Sequence, residues 1–269
     1  MNPDDFQMLA GLVKEKSGLV LSQDKAYLLE SRLAPLARAR GLKGVDELAA
    51  ELRVKQDKQL IIDIVEAMTT NESLFFRDTT PFEQFKDVVL PKLMEARKFS
   101  KTIRIWSAAC SSGQEPYSLS MLLRESSAML AGWRIEIIGT DLSLEILSKA
   151  KSGVYTQFEV QRGLPITMLV KYFKQDGDQW IIDSGIRSMV QFRPFNLLDS
   201  MVSLGEFDMV FCRNVLIYFD NPTKGNVLAR MSERMRDSSF LCLGGAETVI
   251  GITDKFKPVT GHRGIYERS

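Results

Sequence analysis

At 269 residues the chain is long enough for two domains, and with 45% hydrophobic residues it can bury a core in each. A charged fraction of 26% excludes intrinsic disorder, and a net charge of +1 excludes binding to nucleic acid or anionic membrane through bulk charge. Three cysteines and a single histidine, His262, without metal-ligand spacing, exclude a zinc site built from these residues.

The opening MNPDDFQML is acidic and lacks the basic-then-apolar pattern of a signal peptide, and no apolar stretch approaches the ~20 residues that span a bilayer. Cys110, Cys212 and Cys242 lie in or beside apolar runs, as reduced, buried thiols of a cytosolic protein would. The first 70 residues read as helices joined by short turns. Phe6, Leu9, Ala10 and Val13 recur at helical spacing before the stop signal Gly18. A second helix is expected from Ser22 to before Gly41 on the stripe Leu29, Leu33, Leu36. A third is expected near Val45–Leu52, and a fourth from Asp57 carries Leu60, Ile61, Ile64, Val65 and Met68. This predicts an all-helical domain over 1–77, followed by a linker segment, 78–99, with a helix from Pro81 to Lys98.

From residue 100 to 269 strands alternate with helices, the pattern of a mostly parallel sheet covered on both faces. Strands are predicted at Thr102–Ala109, Arg134–Asp141, Phe207–Arg213 and Phe240–Gly244, with a closing hairpin from Lys255–Val259 and Gly264–Arg268. Between them Gln179–Ile182 and Met189–Phe195, joined by Asp183–Gly185, read as an antiparallel hairpin. That hairpin and the helix before it would form a small inserted β subdomain over about 165–195. The fold class is therefore α/β, a Rossmann-like sheet with a helical start and an inserted antiparallel piece.

Ligands of such sheets bind beyond the carboxyl ends of the strands. The first strand ends in the small-residue turn Ala108, Ala109, Ser111, Ser112, Gly113, where backbone can approach a ligand closely. Glu115 follows in the first helical turn, as a ligand group or simply as a carboxylate favoured by the helix dipole. Asp141 ends the second strand, where an acid either accepts hydrogen bonds from ribose hydroxyls or caps the next helix. Turn and acid together favour a nucleoside. The lack of a phosphate-cradling loop favours one without phosphates, which points to S-adenosylmethionine.

TTNESLFFRD (69–78), WSAACSSGQEPYS (106–118), GTDLS (139–143), FRPFNLL (192–198) and FCRNVLIYFD (211–220) together resemble the chemotaxis receptor methyltransferase family, CheR. The five occur in the family's order, and the resemblance covers essentially the whole chain. Gln114 departs from it, standing where the family often has an acid. The resemblance implies transfer of a methyl group from S-adenosyl-L-methionine to glutamate side chains of methyl-accepting chemoreceptors, leaving S-adenosyl-L-homocysteine. It implies that Asn71 and Ser73 contact the cofactor, Arg77 its methionine carboxylate, Glu115 its amino group and Asp141 the ribose. Asn196 and Leu197 would flank the adenine, Arg213 and Asn214 would close the pocket, and Tyr218 would stand near the transferring methyl. Arg77 and Tyr218 are thus the expected catalytic residues.

Such chemistry needs no metal and no general base, because a glutamate of pKa ~4.3 is already an anion at neutral pH. Between Lys25 and Lys43 five basic residues face one acid, Glu30, so Arg32, Arg38 and Arg40 are candidates for docking acidic receptor helices, if they are not simply a solvated face. The short KQDGDQ between Phe173 and Trp180 leads us to expect no tether to a receptor C-terminal pentapeptide. A cytoplasmic monomer without membrane insertion is expected. Rival readings are a methyltransferase of the same fold acting on another acid, and a non-catalytic binding platform.

Overall fold

The computed structural model describes residues 1–55 and 57–269, which divide into two compact units: Met1–Thr70 with Tyr218–Thr223, and Asn71–Ile217 with Lys224–Ser269.

In the first unit, α1 (Pro3–Ser17) starts where the Asn2 side chain accepts from Asp5 N, with Pro3 supplying a preset φ. It stops at Gly18, whose φ of 81° a side chain would resist. Its Phe6, Leu9, Ala10 and Val13 are buried, the face its spacing predicted. A 3-10 turn at Gln23–Lys25 precedes α2 (Ala26–Ala39), so the second helix proper begins later than Ser22. Then follow α3 (Val45–Lys55) and α4 (Lys58–Met68), the latter capped by Asp57, which accepts from Gln59 N. Leu29, Leu33, Leu48, Leu60 and Ile64 meet in one core.

The second unit opens with Asn71–Arg77, which the sequence had placed with the helices. Phe75 and Phe76 are buried in this unit's core, and that apolar anchorage decides where the segment belongs. The helical stretch after it runs over Thr80–Gln84 and Leu90–Ala96 with a π turn at Phe85–Val89. Pro91 lacks the amide a regular α turn would use, and a π turn accommodates that loss.

The main sheet contains β1 (Thr102–Ala108), β2 (Arg134–Asp141), β6 (Val190–Pro194), β7 (Phe207–Cys212), β8 (Met235–Leu243), β9 (Phe256–Pro258) and β10 (Ile265–Arg268). Their order is β6-β2-β1-β7-β8-β10-β9. Pairing is parallel from β6 to β8, whereas β10 runs antiparallel to both neighbours. Register aligns Ala108 with Thr140 and Cys212 with Leu243, so the carboxyl ends of β1, β2, β7 and β8 end at one edge.

The inserted piece differs from the expected hairpin. A separate three-stranded antiparallel sheet pairs β3 (Val154–Thr156) and β4 (Phe173–Asp176) on either side of β5 (Gln179–Ile182). Residues 190–194 belong instead to the main sheet, from Ile137 opposite Val190 to Asp141 opposite Pro194. The Asp183–Gly185 signal read as a hairpin turn is a helix cap: Asp183 Oδ1 accepts from Gly185 N and Ile186 N and starts the turn Ser184–Arg187. β3, only three residues long, has no period-2 signal to read.

Candidate functional site

The loop after β1 is held by the acid at the end of β2. Asp141 Oδ2 accepts from Ser111 N at 2.8 Å, and Oδ1 accepts from Ser143 N at 3.1 Å. Ala109 and Ser111 stand at φ 54° and 50°, left-handed values that need such outside support. Gly113, at φ 90°, precedes the helix Gln114–Glu125, and a Cβ there would come within 3.1 Å of Ala150 and Tyr117. Ser111 Oγ donates to the Asn71 carbonyl at 2.7 Å, which brings the TTNES motif to the same loop. Ser73 is half-buried nearby in sequence. The Asp141 carbonyl accepts from Phe195 N at 2.9 Å, placing Asn196 and the buried Leu197 just beyond the same strand ends. Asn196 Oδ1 accepts from Leu198 N at 3.0 Å, closing its own turn.

The half-buried Glu115 and the buried Arg213 form an ion pair. Glu115 Oε1 accepts from Ser107 Oγ at 2.8 Å and Oε2 from Arg213 Nη1 at 3.1 Å. Arg213 Nη2 donates to the Asp78 carboxylate at 2.7 Å and to the Arg77 carbonyl at 2.8 Å, while Nε, also buried, has no partner. The Arg213 side chain is only 1% exposed. Burial pulls its pKa down, but the neighbouring Glu115 and Asp78 charges more than offset that and hold the guanidinium above its ordinary value. The family resemblance implied that Arg213, with Asn214, closes the pocket. Its geometry makes it a tie that fixes Glu115 from β1's helix and Arg77 from the TTNES segment. Arg77 itself is half-buried, its Nη1 donating to the Glu72 carbonyl at 3.3 Å.

Asn214 follows at φ 60°. Its backbone N–H is accepted by Glu247, a residue that the sequence reading passed over. Glu247 follows the glycine pair that ends β8, and the rule that ligands sit at carboxyl strand ends could have flagged it. Tyr218 groups with the first unit, its carbonyl accepting from Val20 N at 2.9 Å.

The three basic docking candidates separate. Arg32 caps α4, donating to the carbonyls of Met68 at 2.6 Å and Thr69 at 3.0 Å, and Arg40 pairs with Glu51 and Asp57. Arg38 is exposed. Helical projection could not show that two of the three serve the helical unit itself. Among the described residues no cluster of acids, cysteines and histidine could hold a metal, and no helix is long and apolar enough to cross a membrane.

Six parallel strands with one antiparallel strand, β10, inserted between the last two, an acid ending β2 and a small-residue turn after β1 define the S-adenosylmethionine-dependent methyltransferase class. The match to known families is direct. The family model for "CheR methyltransferase, SAM binding domain" covers residues 71–265, and that for "CheR methyltransferase, all-alpha domain" covers 4–69. The chain belongs to the CheR methyltransferase family. It is 42% identical to chemotaxis protein methyltransferase 1 of Pseudomonas aeruginosa over 98% of this chain and 97% of that one. It is 41% identical to chemotaxis protein methyltransferase Cher2 of Pseudomonas putida, over 97% and 96%. With the chemotaxis protein methyltransferase of Vibrio parahaemolyticus the identity is 37%, over 98% and 96%.

Proposed function

We propose that the chain transfers a methyl group from S-adenosylmethionine to glutamate carboxylates on the cytoplasmic helices of chemoreceptors, forming glutamyl methyl esters. The observation that carries this reading is the convergence, at one sheet edge, of Asp141, Glu115 and Arg213 on the loop after β1, in a chain similar along its whole length to chemotaxis protein methyltransferases.

The residues present fit the cofactor. Asp141 would hold the ribose hydroxyls, and Glu115, with about four acceptor positions on its carboxylate, keeps capacity for an ammonium beside Ser107 and Arg213. Arg77 would meet the methionine carboxylate, Asn71 and Ser73 would line the approach, and Asn196 and Leu197 would flank the adenine. When bound, the cofactor supplies an activated methyl on its sulfonium. The chain's part is to orient and to exclude water. Orientation of this kind is worth up to about 7–11 kcal/mol in favourable cases. Arg213, locked between Glu115 and Asp78, preorganises the binding groups. The assignment of Tyr218 beside the methyl rests on the family resemblance. Tyr218→Phe should then lower turnover more than affinity for S-adenosylhomocysteine.

The enzyme works in the cytoplasm as a monomer and without a peptide tether. Supporting the last point, Gly177 and Asp178 alone connect β4 to β5, and Asp176 and Asp178 place negative charge at that turn. A receptor C-terminal pentapeptide titrated into the enzyme should give no heat, and micromolar binding would overturn this. The central test is methyl transfer from labelled cofactor to a purified receptor cytoplasmic fragment, followed by release of the label in base. Transfer to small acids but not to receptor would refute the substrate assignment.

A further inference from the structure

At the carboxyl end of β8 the chain turns back on itself. Glu247 N donates to the Gly244 carbonyl at 2.9 Å, and Glu247 Oε2 accepts from Gly244 N at 2.7 Å. The same carboxylate then reaches the exit of the neighbouring strand β7. There Oε2 accepts from Asn214 N at 2.8 Å, and Oε1 accepts from Val215 N at 3.0 Å and Ile217 N at 3.2 Å. Four backbone donors from two loops converge on one side chain.

The β7 exit needs such a clamp. Asn214 stands at φ 60°, in the left-handed region that disfavours a side chain. The approach to Gly244 is tight as well, since a Cβ there would lie 3.0 Å from Asn214 N and 2.7 Å from Glu247 Oε2. Arg213, one residue before, carries the tie to Glu115 and Asp78. Asn214 and Glu247 also line an open cleft of about 960 Å³ at this strand edge, with Thr80, Thr248, His262 and Arg263 among its other walls. A carboxylate suits the clamp better than any neutral side chain. It is acceptor-only, so both oxygens can face N–H groups, whereas an amide would turn a donor toward two of them.

We infer that Glu247 is a positioning residue for methyl transfer. Its carboxylate fixes the backbone of the β7 exit from Asn214 to Ile217 in the shape that the acceptor glutamate meets, while Arg213 is held by its own bonds to Glu115 and Asp78. The inference rests on the proposed methyl-transfer reading and adds to it a residue that holds the acceptor side of the cleft rather than the cofactor.

Glu247→Gln, nearly isosteric, is the test, read in three ways. Amide exchange at Asn214, Val215 and Gly244 should quicken by roughly tenfold or more as the clamp loosens. Calorimetry should find the dissociation constant for S-adenosylhomocysteine within about threefold of wild type, while kcat for a receptor fragment falls about 10- to 100-fold with a smaller change in KM. Glu247→Asp, which keeps two acceptor oxygens on a shorter stem, should recover part of both the protection and the kcat. An undiminished kcat despite faster exchange would overturn the positioning role. So would a parallel loss of kcat and cofactor affinity, which would make Glu247 part of the cofactor scaffold. A wild-type enzyme that binds S-adenosylhomocysteine but leaves every receptor fragment unmethylated would refute the functional reading instead, with the exchange rates still reporting on the clamp.

Discussion

Asp141 closes the strained turn at Ser111 with its carboxylate, and in the proposed function the same carboxylate also holds the ribose. Removing it should therefore cost more than a ligand contact. Asp141→Ala is expected to weaken S-adenosylhomocysteine by at least about 1.5–3 kcal/mol, the range for hydrogen bonds to charged groups. Asp141→Asn, which keeps one oxygen for Ser111 N, should lose less. Equal affinities across wild type and both variants, in folded protein, would remove Asp141 from the cofactor site. The thiols make a second case at this scale. Burial, with the charges of Asp141 and Glu115 adding to it, pushes Cys110 well above the ordinary thiol range, and burial does the same for Cys212 and Cys242. A raised pKa means that the reactive thiolate is scarce at neutral pH and stays scarce as pH rises toward 9. Titration of native protein with a thiol reagent at pH 8 should be slow at all three cysteines and complete only after unfolding. One fast thiol would show that a strand end opens in solution.

Strand β7 illustrates how one element divides its labour. Its carboxyl end delivers Arg213 and Asn214 to the site. Its amino end buries Asp208, whose carboxylate accepts from Arg97 Nε at 2.6 Å, Arg104 N at 2.7 Å and Arg236 Nη1 at 3.2 Å. Removing the acid leaves the partly exposed Arg97 and Arg236 and the amide of Arg104 without their partner, a loss of about 1.5–3 kcal/mol, the range for hydrogen bonds to charged groups. Asp208→Ala should accordingly lower the denaturant midpoint sharply, while the protein that remains folded binds S-adenosylhomocysteine as wild type does. A fall in affinity as large as the fall in stability would mean that the two ends of the strand are coupled.

For the molecule as a whole, encounter with an acidic receptor is a question of exposed charge. Arg32 and Arg40 are held by α4 and by Glu51 and Asp57, which leaves Arg38 as the exposed member of the three candidates. Exposed charge acts at long range and is screened by salt, with a Debye length of about 10 Å at 0.1 M. Arg38→Glu should slow receptor methylation at low ionic strength, converge on wild type as salt rises, and leave cofactor binding alone. Indifference to both salt and charge reversal would reduce the helix face to solvated surface.

Helical spacing determined the buried faces of α1 and α4, because burial there needs only one apolar stripe per helix and the stripe is local. Alternation of strands with helices determined the α/β class, and the motif residues determined the family. Strand partners were decided by tertiary structure. Residues 190–194 could pair in a local hairpin or at the edge of the main sheet, and only the parallel register with β2 selects the edge. The same holds for Glu115, Arg213 and Glu247. Each reads in sequence as an ordinary charge near a strand end. Their roles as partners arise because β1, β7 and β8, far apart in the chain, finish side by side, and hydrogen bonds of about 3 Å leave nothing in the sequence to mark them.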